Sequence, residues 1–420
     1  MPSRPFSILV VFLTVVAIYS IRSVSSRDPT SLFFSPRAGY APAYSTIRKE
    51  QAEGFISAVS NATRHVAPKS NKEVKKLCVG IPSIARKGAR YLRTAVGSLL
   101  EGLTPEERDE IALIVFIPHS DPTIHPAYTE QWLPELADEV LVYDVSEDQM
   151  KHIKEMEQEG GLYREKGLYD YSYLVKACHK TQAPYIAMLE DDTVAMDGWF
   201  HRTMAGIEKA ETLSALKKAS PDFLYLRLFY TEEFLGWNSE DWRTYVLCST
   251  MFVAVPVAAL ALLRGTFPSA KKLVSTRTML LSMSISTALI LVFFSLGRVT
   301  VLPLAAGVNE MPKYGCCSQG FVFPREKALT LVNFLEEKKL GFVDVLTEEY
   351  ADANGELRWA ITPSVIQHVG RRSSKVDDYG PMSKHGLSVA EKIWNFAFER
   401  YDAEQLRQEH WYATHRGNKR

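Results

Sequence analysis

Residues 183–200 read APYIAMLEDDTVAMDGWF, a short apolar run that breaks off into three consecutive acids. The run at 185–189 has the β-type residues and length of a buried strand. Glu190, Asp191 and Asp192 stand at its C-terminal tip, and Asp197-Gly198 marks a turn beyond. Carboxylates delivered together by a buried strand are hard oxygen ligands. Such ligands suit Mg²⁺ or Mn²⁺, which bind through one or two carboxylates plus the phosphate oxygens of a ligand. The plainer reading is that the acids only solvate a strand end, so the flanking sequence has to choose.

Upstream the chain alternates strand and helix. Strands are expected at 77–81, 111–117 and 139–143, with helices at 90–101 and 170–180 and the 185–189 strand next. This rhythm predicts an α/β fold, a mostly parallel sheet covered by helices. Ligands of such sheets bind at the carboxyl ends of the strands. Ser83, Asp121, Asp144 and the acid triplet all stand at such ends. Their convergence points to a nucleotide site, although polar residues end most strands. Further strands are expected at 223–229, 316–324 and 358–363, and a helix at 325–338. Residues 365–374, VIQHVGRRSS, set His368 beside Arg371 and Arg372. His368 reads either as a satisfied histidine near a strand end or as a neutral imidazole ligand to the cation of the triplet, with an arginine near a diphosphate. Asp344 reads either as a first-turn helix acid or as a general base.

Charge and hydropathy set the organisation. The 420 residues carry 49 basic and 49 acidic side chains, so no net field points to nucleic acid. Three segments, 6–21, 245–263 and 279–297, are nearly free of charge. The later two have the length of a bilayer span and form a hairpin. Its connecting loop holds Arg264, Lys271, Lys272 and Arg277 and no acid, which places the loop in the cytosol. Pro256 in the first span is tolerable within a membrane. The first segment reads as a retained anchor closed by Arg22 and Arg27, rather than a cleaved signal peptide with Arg4 as its only n-region charge. With that orientation both soluble blocks are lumenal. The expected organisation is an anchor at 1–22, a stem at 23–76 with some helix near 46–62, a first half-domain at 77–244, the hairpin at 245–297, and a second half-domain with its tail at 298–420. Asn61-Ala62-Thr63 is a glycosylation acceptor. Cys78, Cys178, Cys316 and Cys317 lie in the lumenal blocks, and their pairing stays open among three connectivities. The lack of a C-x-x-C pair argues against a zinc site. The spans carry no ionisable residue in their middles, which disfavours a transporter or channel.

Four motifs now stand in order: VGIPS at 79–83, LEDD at 189–192, VDVL at 343–346 and PSVIQHVGRRSS at 363–374. Together they resemble lumenal glycosyltransferases of the GT-A type, and over 76–200 and 316–374 they are similar to the N-acetylglucosaminyltransferase IV family. The branching family has no membrane hairpin inside its domain. A GT-A domain split by a two-helix insertion, behind an N-terminal anchor, resembles the post-GPI-attachment-to-proteins factor 4 family over nearly the whole chain. That resemblance implies a Golgi, multi-pass membrane glycosyltransferase moving N-acetylgalactosamine from UDP-GalNAc onto the glycan core of GPI anchors. It implies Mn²⁺ or Mg²⁺ held by Glu190, Asp191, Asp192 and His368, in place of the Asp-x-Asp of other GT-A enzymes. Pro82, Ser83 and Arg86 would face the nucleotide, Asp121 and Asp144 the uracil and ribose, and Lys166 and Arg371 the nucleotide or its diphosphate. Asp344 would be the base, with Glu348 and Glu349 as runners-up. The rivals are an N-glycan branching N-acetylglucosaminyltransferase and a non-catalytic protein that binds a glycan or a GPI lipid.

Overall fold

A computed structural model describes residues 4–61, 74–86, 88–158, 162–312, 317–371, 387 and 389–416. It divides into two compact units, residues 1–41 with 232–304, and residues 42–231 with 305–420.

The first unit is helical. Two helices, Trp242–Thr266 and Thr276–Leu296, are long and apolar enough to cross a membrane, and Val15–Ser25 is a shorter apolar helix. Leu247, Met251, Val255, Leu281, Leu289 and Leu291 are exposed along the two long helices. A hydrocarbon environment would cover such a surface. One end of the pair carries a ring cluster of Trp237, Tyr245, Phe293 and Phe294, with Trp237 donating from Nε1 to the Phe294 carbonyl at 3.1 Å. The chain after Ser25 docks at the same end: the Leu32 N–H donates to the Ser295 carbonyl at 3.0 Å, and Asp28 accepts from the Thr300 N–H at 2.7 Å. The opposite end holds the basic loop.

The second unit is a mixed α/β domain. Its strands are β1 (Leu77–Pro82), β2 (Ile111–Phe116), β3 (Glu139–Leu141), β4 (Tyr185–Leu189), β5 (Thr193–Ala195), β6 (Tyr225–Arg227), β7 (Gly307–Glu310), β8 (Gly320–Pro324), β9 (Arg358–Thr362) and β10 (Ile366–His368). Eight form one sheet in the order β3-β2-β1-β4-β8-β6-β9-β7, and β5 pairs with β10. The β3-β2-β1-β4 half is parallel throughout, as is β6-β9, while β8 runs antiparallel to both its neighbours. Helices that matter for the site are α1 (Tyr44–Ser60), α2 (Tyr91–Leu100), α3 (Pro105–Asp109), α4 (Tyr163–Lys180), α5 (Trp199–Lys218), α6 (Arg325–Lys338), α7 (Val343–Ala353) and α8 (Ala403–Arg416).

Burial on both faces explains why the strands read as unbroken apolar runs rather than alternating ones. Leu77, Val79, Ile81, Leu113 and Val115 point to one core with Leu92, Val96 and Leu99 of α2 and Phe55 and Ile56 of α1. Cys78, Ile114 and Phe116 point to the other, with Leu168, Leu174 and Val175 of α4 and Leu331 and Leu335 of α6. Cys78 bonds Cys178, stitching β1 to α4 and choosing one pairing where the sequence left three. Cys316 and Ala62-Thr63 of the glycosylation acceptor lie outside the described residues, while Asn61 is exposed at the end of α1.

The 23–76 segment is not all stem. Its expected helix is α1, and it belongs to the domain core: Arg48 is 1% exposed, donating to the carbonyls of Ala195 and Ser98 at 2.9 and 2.8 Å and pairing with Glu101 at 2.5 Å. A guanidinium can satisfy several buried carbonyls at once, which the polar reading of this stretch mistook for solvent exposure. Helix α5 and strands β5 and β7 were also missed, because each sits between stronger signals. Replacing Arg48 by Met is expected to lower the unfolding free energy by about 3 kcal/mol, since it orphans two buried carbonyls and one carboxylate. Urea unfolding of the purified protein checks this, and an unchanged midpoint would return α1 to a stem.

Candidate active site

The site is built at the tip of β4 by two antiparallel registers. Leu189 faces Gly320 in β8, so Gln319 and Ser318 arrive beside Glu190. Thr193 faces His368 in β10, so the imidazole arrives beside Asp192, and the Val369 N–H donates to the Asp192 carbonyl at 2.8 Å. Chain segments some 130 and 175 residues downstream are thereby fixed against three consecutive acids.

Each acid then has its own partners. Glu190 accepts from Ser318 Oγ at 2.5 Å and from Gln319 Nε2 at 3.1 Å. Asp191 accepts from Arg86 at 2.6 and 2.7 Å, one bond to each oxygen, and from Ser83 Oγ at 2.5 Å. Asp192 Oδ2 lies 3.4 Å from His368 Nε2, and Asp192 Oδ1, though buried, has no hydrogen-bond partner among the described residues. Burial pushes the Asp191 carboxyl up to about 6 against the pull of Arg86. Burial acts the same way on Asp192, yet His368 and Arg86 outweigh it and hold that carboxyl below its ordinary value. His368 is opposed by burial in turn, and the Asp192 carboxylate still raises its pKa. Two adjacent carboxylates are thus driven apart in proton affinity by their surroundings.

His368 Nδ1 lies 3.0 Å from the Ile393 carbonyl, so Nδ1 carries the proton and Nε2 is the nitrogen turned to Asp192. Without a cation or a second proton, the Nε2 lone pair would face a carboxylate. Together with the orphaned Oδ1, this makes Asp192 and His368 the pair able to hold a metal ion. Gly370 closes over them: a Cβ there would lie 2.8 Å from His368 Nε2 and would collide with the Asp192 carboxylate. The backbone there leaves no room for a side chain.

A cleft opens beside the pair, lined by Ser83, Ala85, Arg86, Tyr91, His125 and Asp191 among others. Arg86 stacks on Tyr91 at 5.4 Å, and its buried Nε has no partner among the described residues. Pro82 ends β1 immediately before Ser83. An unpaired donor near an unpaired acceptor suits a diphosphate with its cation. His125 and Tyr91 were not singled out from the sequence. His125 sits in PTIHP just past Asp121, where the strand-end reading stopped, and a tyrosine in a helix first turn carries no local signal. Ser318 and Gln319 were missed because they were read as part of a strand.

The remaining expected residues are placed differently. Asp121 and Asp144 do stand at the ends of β2 and β3, both exposed, but Asp121 accepts from Thr123 N and Oγ of its own turn. Lys166 lies inside the first turn of α4 rather than ahead of it, buried on Asp170, the Tyr143 hydroxyl and the Pro118 carbonyl. It serves the buried Asp170, so its ammonium is already used. Arg371 is exposed and donates its backbone N–H to Tyr91 Oη at 3.0 Å, and Arg372 lies outside the described residues. Asp344 is in the first turn of α7, where Oδ1 accepts from Val345 N and Oδ2 from Cys317 N at 3.0 Å. It therefore anchors the 317–319 loop that holds Glu190. Glu348 is corrected from a runner-up base to a structural ion: it is buried, and its oxygens accept from Tyr225, Arg227 and Arg358 at 2.5–2.8 Å, so its charge balances two arginines. Glu349 is exposed and paired with Lys338 at 2.7 Å. It too is corrected, because its partner lies on the outer surface of α6.

His125 gives a pH test. Burial, helped by His119 and Arg86, depresses its pKa to about 4, while Ser83 Oγ sits 3.0 Å from Nε2. The unfolded histidine titrates near 6.5, so between there and about 4 the unfolded chain binds more protons. Stability should fall as pH drops through that window, by at most one proton's slope. Denaturant midpoints measured from pH 7 to 4 should show the slope, and His125→Gln should flatten it.

Comparison with known proteins adds the lineage. The family described as GPI-N-acetylgalactosamine transferase PGAP4 matches residues 77–367. The chain is also similar to alpha-1,3-mannosyl-glycoprotein 4-beta-N-acetylglucosaminyltransferase A of Xenopus tropicalis, 29% identical over 133 residues, covering 29% of this chain and 25% of that protein. It is 25% identical over 135 residues to the B enzyme of Danio rerio, covering 30% and 24%, and 24% identical over 149 residues to the C enzyme of Macaca fascicularis, covering 33% and 31%. The matches thus span between 24% and 31% of those relatives' own lengths.

Proposed function

The chain belongs to the GPI-N-acetylgalactosamine transferase PGAP4 family, and from that premise we propose that it transfers N-acetylgalactosamine from UDP-GalNAc to the glycan core of GPI anchors at the Golgi membrane. The observation that carries the transferase reading is the Asp192–His368 pair, with its unpartnered Oδ1, beside the Arg86 cleft.

In this reading Asp192 and His368 would ligate Mn²⁺, or Mg²⁺, and Gly370 keeps a side chain from crowding them. Arg86 neutralises Asp191 and turns its Nε toward the donor's diphosphate. Ser83, His125 and Tyr91 line the nucleotide, with Asp121 and Asp144 exposed beyond neighbouring strand ends for base or ribose. When bound, the cation offsets negative charge growing on the leaving UDP. Glu190 holds the 317–319 loop rather than the metal. Asp344, fixed by two backbone N–H groups at the other end of that loop, takes the proton from the attacking sugar hydroxyl.

The membrane reading rests on composition and connectivity. The two long apolar helices cross the bilayer with their basic loop in the cytosol, and the first apolar segment is an anchor, so both halves of the α/β unit are lumenal. The Cys78–Cys178 bond supports an oxidising compartment. A GPI glycan is itself held at the bilayer by its lipid, and a transferase tethered there on both sides of its insertion meets it without leaving the surface.

A donor screen on detergent-solubilised protein tests the chemistry. UDP should be released from UDP-GalNAc in the presence of Mn²⁺, and the release should be lost on chelation and in Asp192→Ala. Preference for UDP-N-acetylglucosamine would instead align the chain with the chemistry named for its curated relatives, and no cleavage of any UDP-sugar would overturn the enzyme reading. A second expectation separates binding from proton transfer. Asp344→Asn should lower kcat by roughly 10²–10⁴-fold while UDP affinity holds, the magnitude of a lost general base.

A further inference from the structure

We propose that Glu107, His201 and His410 form a second metal site, for Zn²⁺, that clamps the C-terminal helix α8 onto the domain. It shares no residue with the Asp192–His368 pair. One ligand atom from each of the three lies within 4.8 Å of the others.

The chemistry of the set is specific. Two imidazoles and one carboxylate are a common zinc set, and harder cations prefer oxygen alone. Glu107 and His410 are buried, and two atoms at the cluster, Glu107 Oε1 and His201 Nδ1, are buried with no hydrogen-bond partner among the described residues. An unmade bond at a buried polar atom is costly, which is what a bound ion would remove.

The outer partners are also those of a metal site. His410 Nδ1 lies 3.0 Å from Asp197 Oδ1, and His201 Nε2 lies 3.4 Å from Glu409 Oε1. His410 Nδ1 thus turns to Asp197 and His201 Nε2 to Glu409, while His410 Nε2, on Glu107, and His201 Nδ1 face the cluster. A ligating histidine is oriented in this way by a second-shell acceptor. Glu107 is fixed by the capping box of α3, in which Oε2 accepts from the Thr104 N–H at 3.1 Å. The two rings stack at 5.4 Å and 11°. Gly198 makes room for them, since a Cβ there would lie 2.5 Å from His201 Cε1 and 3.0 Å from His410 Cβ. Glu107 Oε2 and His410 Nε2 are now 2.8 Å apart, a hydrogen-bond contact. A zinc ion would take that proton's place and spread the two ligands to roughly 3.3 Å, a small side-chain adjustment for bonds of ~2 Å. The ligands come from α3, α5 and α8, so one ion would hold three elements far apart in the chain.

The test uses full-length, detergent-solubilised protein stripped with a chelator, reloaded with Zn²⁺ and desalted. Elemental analysis should find one zinc per chain that persists in Asp192→Ala and disappears in His201→Gln. Zinc should raise the Tm of wild type by several degrees and leave that of His201→Gln unmoved. Loading with Co²⁺ provides a readout independent of any variant's folding, because four-coordinate cobalt bound through nitrogen absorbs strongly in the visible. Wild type without such a band, no retained zinc, or zinc lost in Asp192→Ala but kept in His201→Gln, would each overturn the site and leave a protonated His410 bridging Glu107 and Asp197 as the clamp.

Discussion

Three consecutive carboxylates at the end of a buried strand cannot all be charged without help, and the second unit is arranged around giving each a different kind of help. Glu190 receives neutral donors from Ser318 and Gln319, Asp191 receives a guanidinium and a hydroxyl, and Asp192 receives an imidazole and keeps one oxygen unspoken for. Burying an ion is tolerable only when it is paired and hydrogen-bonded. The asymmetry is therefore informative. Two acids are satisfied by the protein, and the third keeps one buried oxygen without a hydrogen-bond partner among the described residues.

The support extends one layer outward. The 317–319 loop that serves Glu190 is itself held from two sides, by Asp344 on the Cys317 N–H and by Arg227 on the Cys317 carbonyl at 2.7 Å. Arg227 is wholly buried and is balanced by Glu348, which Arg358 and Tyr225 share. Removing any one member would leave a buried charge uncompensated, a larger loss than the pair's net worth. The acids of 343–353 thus divide by address: the residue nearest the loop positions the site, and those deeper in α7 hold the frame.

This division shows what a sequence can and cannot reveal. The strand ends at Ser83 and at the acid triplet were legible because period, length and abrupt polarity coincide there. So was one of the two readings of His368, an isolated histidine at the end of an apolar run, in which it stands by the triplet: it lies 3.4 Å from Asp192. The roles of Glu190, Lys166 and Glu348 were not, because a charged side chain reads alike whether it faces a ligand or a buried counter-ion. Lys166 illustrates the point: its partners Asp170, Tyr143 and the Pro118 carbonyl come from a helix and two strand ends, and no local pattern announces that they meet. For the same reason the stretch around Arg48 reads as a stem. Cysteine spacing says nothing of a set such as Glu107, His201 and His410, which spans 304 positions of the chain.

The sheet also bears on how such a domain tolerates an insertion. β6 precedes the apolar helices in sequence and yet lies between β8 and β9, which follow them. The two halves therefore share one sheet, in which β6 of the first half is seated between β8 and β9 of the second. Only an insertion whose ends return to the same place can be accepted between such partners, and the Trp237 contact with Phe294 brings the ends of the helix pair together. In the membrane reading proposed above, parity adds a stricter condition. An odd number of spans would put β6 and β8 on opposite sides of the bilayer, where they could not pair, so two is the smallest insertion compatible with the sheet.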